Sequence, residues 1–438
     1  MERALGQADS TFQHVWSKAT FSDRAKIVSR AASLMVERKE SLARLAAIEI
    51  GKRISEGRDE VDMSAAILQY FADHAETFLA PQVIDSPMGD AHLEFSPLGV
   101  LIGVQPWNFP YYQLARFAAP NLMAGNVLLV KHSSGAPQCA LAFEQLFADA
   151  GAPAGVYTNL FASSDQVGAL IDDPRTKGVA LTGSEQAGES LASRAGKNLK
   201  RSTMELGGSD AFIVLEDCDL EFAVKMAVLG RIGNVGQTCI GAKRFIVVGH
   251  RAEQFLGAFR DALAQLKPGN PLDESTTLGP LASENALNLL LRQVREAVAH
   301  GARLFSGGDR IGHRGAFMQP TILTDVTPDN PAFRQEFFGP VALFFPARDE
   351  EGAIATANNS PFGLGGSVYT SDIEHGKRVA SRIETGMVFV NYPFISAPEL
   401  PFGGIKRSGY GKELSSLGIQ EFVNNKLICA IKPKTGKE

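Results

Sequence analysis

The chain is poor in cysteine, with only four in 438 residues, at positions 139, 218, 239 and 429. None forms a Cys-x-x-Cys pair or a Cys/His cluster, which argues against a metal site. An excess of charge of one sign is lacking as well. The formal net charge is −5, and no basic stripe of the kind nucleic-acid binding requires is present. The run from Lys432 to Lys437 is basic but short, and reads as a solvated tail. No apolar stretch approaches the roughly 18 residues of a membrane span. Met1 to Ser10 lacks the apolar core of a signal peptide. Together these absences point to a cytoplasmic chain with reduced thiols. There are no repeats, low-complexity segments or obvious linkers.

What is present is ordinary in bulk. Hydrophobic residues make up 45% and charged residues 21%, as in soluble globular proteins, and the length favours two or three domains. The first 78 residues read as helices. Thr20-x-x-Asp23 is a helix start, followed by apolar residues at helical spacing (Ile27, Val28, Ala31, Leu34, Met35), then a second stretch through Leu42 and Leu45 and a third over 61–75. From residue 98 short apolar runs alternate with helical patterns: 98–104, 127–130, 156–161, 179–181 and 211–215, with helices at 138–149 and 185–195. A second alternation follows Cys239, with strands at 245–248, 341–345, 367–370 and 387–391 and helices at 252–265, 286–300 and 350–358. This pattern predicts parallel β/α units, with ligand contacts at the C-terminal strand ends. Two candidates fall there: Lys131 after one strand, and Thr182-Gly183-Ser184, which opens a helix suited to a phosphate. A last strand is expected at 426–431.

Chemistry concentrates at three points. Cys239 sits in Gly236-Gln-Thr-Cys239, Glu205 in Met204-Glu-Leu-Gly-Gly208, and Asn108 in Pro106-Trp-Asn-Phe-Pro110. A thiol is a strong nucleophile, a carboxylate can act as base, and a neutral amide can donate to an oxyanion. Each residue also has a bland reading: a core-filling thiol, a helix-capping or solvated acid, a turn-stabilising Asn.

Six segments are together similar to the NAD(P)-dependent aldehyde dehydrogenase superfamily, in its order and near its spacings. They are Pro106-Trp-Asn-Phe-Pro110, Leu181-Thr-Gly-Ser184, Glu205-Leu-Gly-Gly208, Gly236-Gln-Thr-Cys239, Glu336-Phe-Phe-Gly-Pro340 and Pro401-Phe-Gly-Gly404. Within that superfamily the chain most resembles bacterial succinate-semialdehyde dehydrogenases of the shorter type. The resemblance implies two Rossmann-type parallel-sheet α/β domains and a small bridging β element that serves oligomerisation. The implied divisions are 1–78 with 97–207 for NAD(P), 208–408 for catalysis, and 79–96 with 409–438 for assembly into a homodimer or homotetramer.

The resemblance also implies roles. Cys239 attacks the aldehyde, Asn108 and the Cys239 N–H hold the oxyanion, and Glu205, its pKa raised, activates the deacylating water. Cofactor contacts fall to Trp107, Lys131, Ser134, Gly183, Ser184, Leu206, Glu336 and Phe338, with no metal. NAD-preferring members often carry Glu where Ser134 stands, so NADP is favoured over NAD. Arg116 and Ser396 match residues that hold the distal carboxylate of succinate semialdehyde. A second Arg of that pocket is replaced by Gly233, and Arg231 or Lys243 are candidates to compensate, while a structural salt bridge is the other reading of Arg116. The alternatives are a broad-specificity enzyme for uncharged aldehydes, a coenzyme-A-acylating enzyme, which the presence of Glu205 disfavours, and a non-catalytic protein on the same scaffold.

Overall fold

The computed structural model describes residues 1–432. The basic run beyond Lys432 lies outside the described residues, as does the end of the expected 409–438 segment. The expected helices at the start are Phe21–Glu37, Lys39–Ile50 and Ile54–Phe78. The first opens on a reciprocal capping box in which Thr20 and Asp23 satisfy each other's backbone N–H groups. A further helix, Glu2–His14, precedes them. Its buried Leu5, Ala8 and Thr11 fall on one helical stripe.

The first sheet has six strands in the order Gly409–Tyr410, Arg201–Glu205, Thr176–Thr182, Val100–Gln105, Val127–His132, Tyr157–Asn159. All pairings are parallel except that of Gly409–Tyr410. The adjacent interior strands Val100–Gln105 and Val127–His132 are near-continuous runs of buried Val, Leu and Ile. This is the pattern of a sheet covered by helices on both faces.

Seven strands form the second sheet, ordered Arg303–Ser306, Thr321–Thr324, Val341–Ala347, Ala242–Val248, Asp210–Val214, Gly366–Tyr369, Phe389–Val390. Only the edge strand Arg303–Ser306 pairs antiparallel. A third sheet combines Gln82–Ile84, Asp90–Pro97 and Val423–Ala430, all antiparallel. The C-terminal strand therefore pairs along its whole length with the segment at 90–97, far from its neighbours in sequence.

The topology positions the site. In the first sheet, Gln105 pairs with His132 and Thr182 with Glu205. The loops carrying Trp107 and Asn108, Ser133 and Ser134, Gly183 and Ser184, and Leu206 and Gly207 thus all leave one C-terminal edge. The chain then enters the second sheet at Asp210. Here Ser209, Gly241 and Pro340 immediately precede parallel strands, so this sheet presents its N-terminal edge. The loops before those strands carry Gly208, Cys239 and Glu336. The C-terminal edge of one sheet faces the N-terminal edge of the other, and the candidate residues lie between them.

Candidate active site

Cys239 is half-buried, whereas Cys139 and Cys218 are buried and Cys429 is exposed. Its loop is reached through three consecutive left-handed residues, Asn234, Val235 and Gly236, at φ +51°, +56° and +77°. This is an unfavourable conformation for a β-branched residue such as Val235. Only glycine fits the third position, since a Cβ on Gly236 would lie 2.4 Å from the Gly339 carbonyl oxygen. Surrounding bonds hold the strained turn. The Asn234 N–H donates to Glu56 at 2.9 Å, and the Arg231 guanidinium donates to the Gly236 and Ala242 carbonyls, each at 2.7 Å.

Burial, and then the neighbouring Glu205 carboxylate, push the Cys239 thiol well above its usual range, so at rest it is protonated. Glu205 is 5% exposed. Burial raises its carboxyl to about 7, with Arg116 opposing the rise. The Arg116 Nη2 lies 3.4 Å from Glu205 Oε2, and Glu205 Oε1 has no hydrogen-bond partner among the described residues. A protonated thiol therefore sits beside a base poised near neutral pH.

Asn108 is buried and locked in orientation. Gln113 donates to its Oδ1 at 3.0 Å, while its Nδ2 donates to the Gln237 carbonyl at 3.0 Å. One N–H of the amide is thereby used, and the second remains available to a ligand. The Asn234 side chain donates to the Asn108 carbonyl at 2.8 Å, which ties this loop to the cysteine loop.

The expected cofactor residues lie on the loops and strand ends at this meeting of edges. Ser184 caps the helix Glu185–Lys197 with its own hydroxyl, and it is exposed. The helix Pro137–Asp149 differs, because the Glu49 carboxylate occupies its N-terminus by accepting from Gln138 and Cys139. Of the two helix starts, the one at Ser184 is thus the one open to a phosphate. Lys131 is half-buried, and its amine is pulled down by burial alone, with no charged partner contributing. Ser134 is exposed. Glu336 accepts from the Gly208 N–H at 3.2 Å and pairs with Lys243 at 3.0 Å. A Cβ on Gly207 would meet a Glu336 carboxylate oxygen at 2.4 Å, so any larger residue there would push that carboxylate from its present place. Phe338 stacks edge-on against Trp107 at 5.8 Å. Leu206 is buried with Leu181 and Met204 under the same helix. A phosphate-ready helix start, a free amine and a carboxylate facing small residues together fit a nucleotide cofactor.

Arg116 is 1% exposed and heavily committed. It pairs with Glu413 as well as Glu205, donates to Tyr112 and Thr182 at 3.3 Å, and lies over the Phe402 ring. The salt-bridge reading describes its state here. Ser396 lies nearby, because the Tyr112 hydroxyl bonds Ser396 Oγ at 2.5 Å. Arg116 and Ser396 thus meet on either side of Tyr112. Arg231 and Lys243, considered as substitutes for the missing Arg at Gly233, are corrected. Both are fully buried, Arg231 with its donors on backbone carbonyls at the ends of the cysteine loop and Lys243 with its donors on two carbonyls of that loop and on Glu336. Sequence reasoning missed Glu413, Tyr112 and Gln113.

Two parallel α/β sheets meeting edge to edge, with a thiol, a neutral-range carboxylate and a nucleotide cradle between them, define a dinucleotide-dependent oxidoreductase. The chain belongs to the aldehyde dehydrogenase family, whose model matches residues 1–428. It is similar to a succinate-semialdehyde dehydrogenase [NADP(+)] of Deinococcus radiodurans, 50% identical over 430 residues that span 98% of this chain and 90% of the relative. A probable succinate-semialdehyde dehydrogenase [NADP(+)] of Synechocystis is 45% identical, covering 97% of this chain and 93% of that one. Among solved structures, succinic semialdehyde dehydrogenase from Streptococcus pyogenes in complex with NADP+ superposes with a TM-score of 0.97 at 44% identity, over 98% of this chain and 95% of that chain. No helix among the described residues is long and apolar enough to cross a membrane, and no three or more His, Cys, Asp or Glu side chains there are grouped to hold a metal ion.

Proposed function

We propose that this protein oxidises succinate semialdehyde to succinate with NADP as acceptor, through covalent chemistry at Cys239. The observation that carries this reading is the juxtaposition of a half-buried thiol with a buried carboxylate held near 7 and an immobilised amide donor. Glu205 takes the thiol proton, and the thiolate sulfur attacks the aldehyde carbon. The developing oxyanion is held by Asn108 Nδ2–H and the Cys239 N–H. When bound, the nicotinamide cofactor supplies the two-electron acceptor for the hydride that leaves this carbon, and a thioester remains on Cys239. Glu205 passes that first proton to solvent and then removes a proton from water, which adds to the thioester; the thiolate leaves and takes this proton back from Glu205 as the acid is released. A carboxylate placed to activate water favours hydrolysis over transfer to coenzyme A.

Cofactor choice follows from charge. Lys131 is free to meet a 2′-phosphate, and Ser134 brings no carboxylate to repel it. Glu336 holds the nicotinamide ribose, Ser184 and Gly183 the pyrophosphate, and Trp107, Phe338 and Leu206 pack around the cofactor. At the substrate's far end, Ser396 and Tyr112 present hydroxyls backed by the Arg116 charge. The three-stranded sheet exposes Val83 and Leu427, which suits pairing between copies as a homodimer or homotetramer. A free catalytic thiol fits the cytoplasm.

The substrate assignment is tested by kcat/KM for succinate semialdehyde against an uncharged aldehyde of equal length. Hydrogen bonds to a charged group are worth about 1.5–3 kcal/mol, so the expected preference is roughly 10- to 100-fold. Ser396→Ala and Tyr112→Phe should each narrow it. Equal values in the native enzyme reject the carboxylate anchor and favour a broad-specificity enzyme.

A further inference from the structure

Lys243, in the strand Ala242–Val248, is fully buried beneath the cysteine loop. An ammonium in such a place is costly unless it is paired and hydrogen-bonded. Its partners are the Thr238 carbonyl at 2.8 Å, the Cys239 carbonyl, and Glu336 Oε1 at 3.0 Å. Those three acceptors match the three protons of the ammonium. Two of them belong to the peptide groups on either side of the nucleophile.

Peptide geometry gives this contact a consequence. The Thr238 carbonyl and the Cys239 N–H belong to one planar trans unit, so they point in opposite directions. Holding the carbonyl from below turns the N–H away from Lys243. A cation on the carbonyl oxygen also polarises the same amide and strengthens its N–H as a donor. No backbone carbonyl among the described residues accepts from that N–H. Arg231 has a different task, since it bonds the Gly236 and Ala242 carbonyls at the ends of the loop.

We propose that Lys243 is a positioning residue that aims the Cys239 N–H at the oxyanion and anchors that peptide to Glu336 on the cofactor side. The inference rests on the aldehyde-oxidation reading above. Its test compares two reactions of the same sulfur. Aldehyde oxidation passes through an oxyanion, whereas alkylation by iodoacetamide does not. Loss of one oxyanion donor costs about 10²–10³ in rate, so Lys243→Met should lower kcat by roughly that factor. Aldehyde KM should stay within about threefold of native; because the Lys243 charge also draws the Cys239 thiol down against burial, the alkylation rate should fall by about tenfold at most, well short of the loss in kcat.

Lys243→Gln, whose amide can hold one of the two carbonyls, should give an intermediate kcat with the same split, and it decides the matter if Lys243→Met does not fold. A native kcat in a folded variant, or an alkylation rate that falls in step with kcat, overturns the proposal. Native protein that reduces no NADP with any aldehyde would instead overturn the underlying reading, so the two failures are distinguishable.

Discussion

Asn108 shows what a single residue needs before it can do chemistry. An amide free to rotate would present oxygen or nitrogen to a substrate equally well. Gln113 fixes the oxygen end and the Gln237 carbonyl fixes one N–H, so the other N–H is pre-oriented. Asn108→Ala should therefore lower kcat by about 10²–10³ while the fold, read by circular dichroism, is retained. Glu205 makes a different prediction. Burial is the main cause of its rise to about 7, so the basic form accumulates only as pH climbs through that value. The kcat profile should have a rising limb centred near 7, absent in Glu205→Gln. The same shift opposes stability. A carboxyl whose folded pKa exceeds its unfolded value binds protons more readily in the folded state, and stability declines as pH rises from the unfolded pKa through about 7. Thermal melting should accordingly show Glu205→Gln gaining on the native chain as pH rises from 5 to 8 (both values being approximate bounds of the window). The identities of these residues were legible from motif order in the sequence. The commitment of Arg116 was not, because its partners Glu413 and Glu205 lie far away in the chain and are brought together only by the fold.

At the scale of elements, the strands Val100–Gln105 and Val127–His132 could be read directly, because parallel strands buried on both faces leave unbroken apolar runs. The helix Tyr112–Ala124 could not. Every residue in it is buried, so it lacks the polar stripe that makes a helix periodic. The strand Arg201–Glu205 was missed for the opposite reason. Its sequence is polar through Arg201, Ser202 and Thr203, and its place comes from pairing on both sides. That strand delivers Glu205, and the turn after it contains Gly207. Gly207→Ala would press a methyl against Glu336. The expected outcome is a raised KM for NADP with the alkylation rate of Cys239 little changed. A native KM would show that Glu336 swings clear at no cost.

At the scale of the molecule, neither sheet contains the whole reaction. The first supplies Asn108, Glu205, Lys131 and Ser184 from its C-terminal edge, and the second supplies Cys239 and Glu336 from its N-terminal edge. The sequence pattern led to the expectation of ligands at C-terminal strand ends, which describes the first sheet but not the nucleophile. Only the meeting of opposite edges brings base, thiol and cofactor cradle together. The other cysteines lie away from this meeting of edges: Cys139 and Cys218 are buried in the two hydrophobic cores, and Cys429 lies on the exposed C-terminal strand. The most direct test mixes Glu205→Gln rapidly with NADP and succinate semialdehyde, then locates the acyl group by peptide mass spectrometry. Glu205 serves as base for both the thiol and the water, so the variant should form NADPH slowly, stop at about one per chain, and hold the acyl group on the Cys239 peptide. Sustained turnover at the native rate, or an acyl group on Cys139, Cys218 or Cys429, would contradict the account.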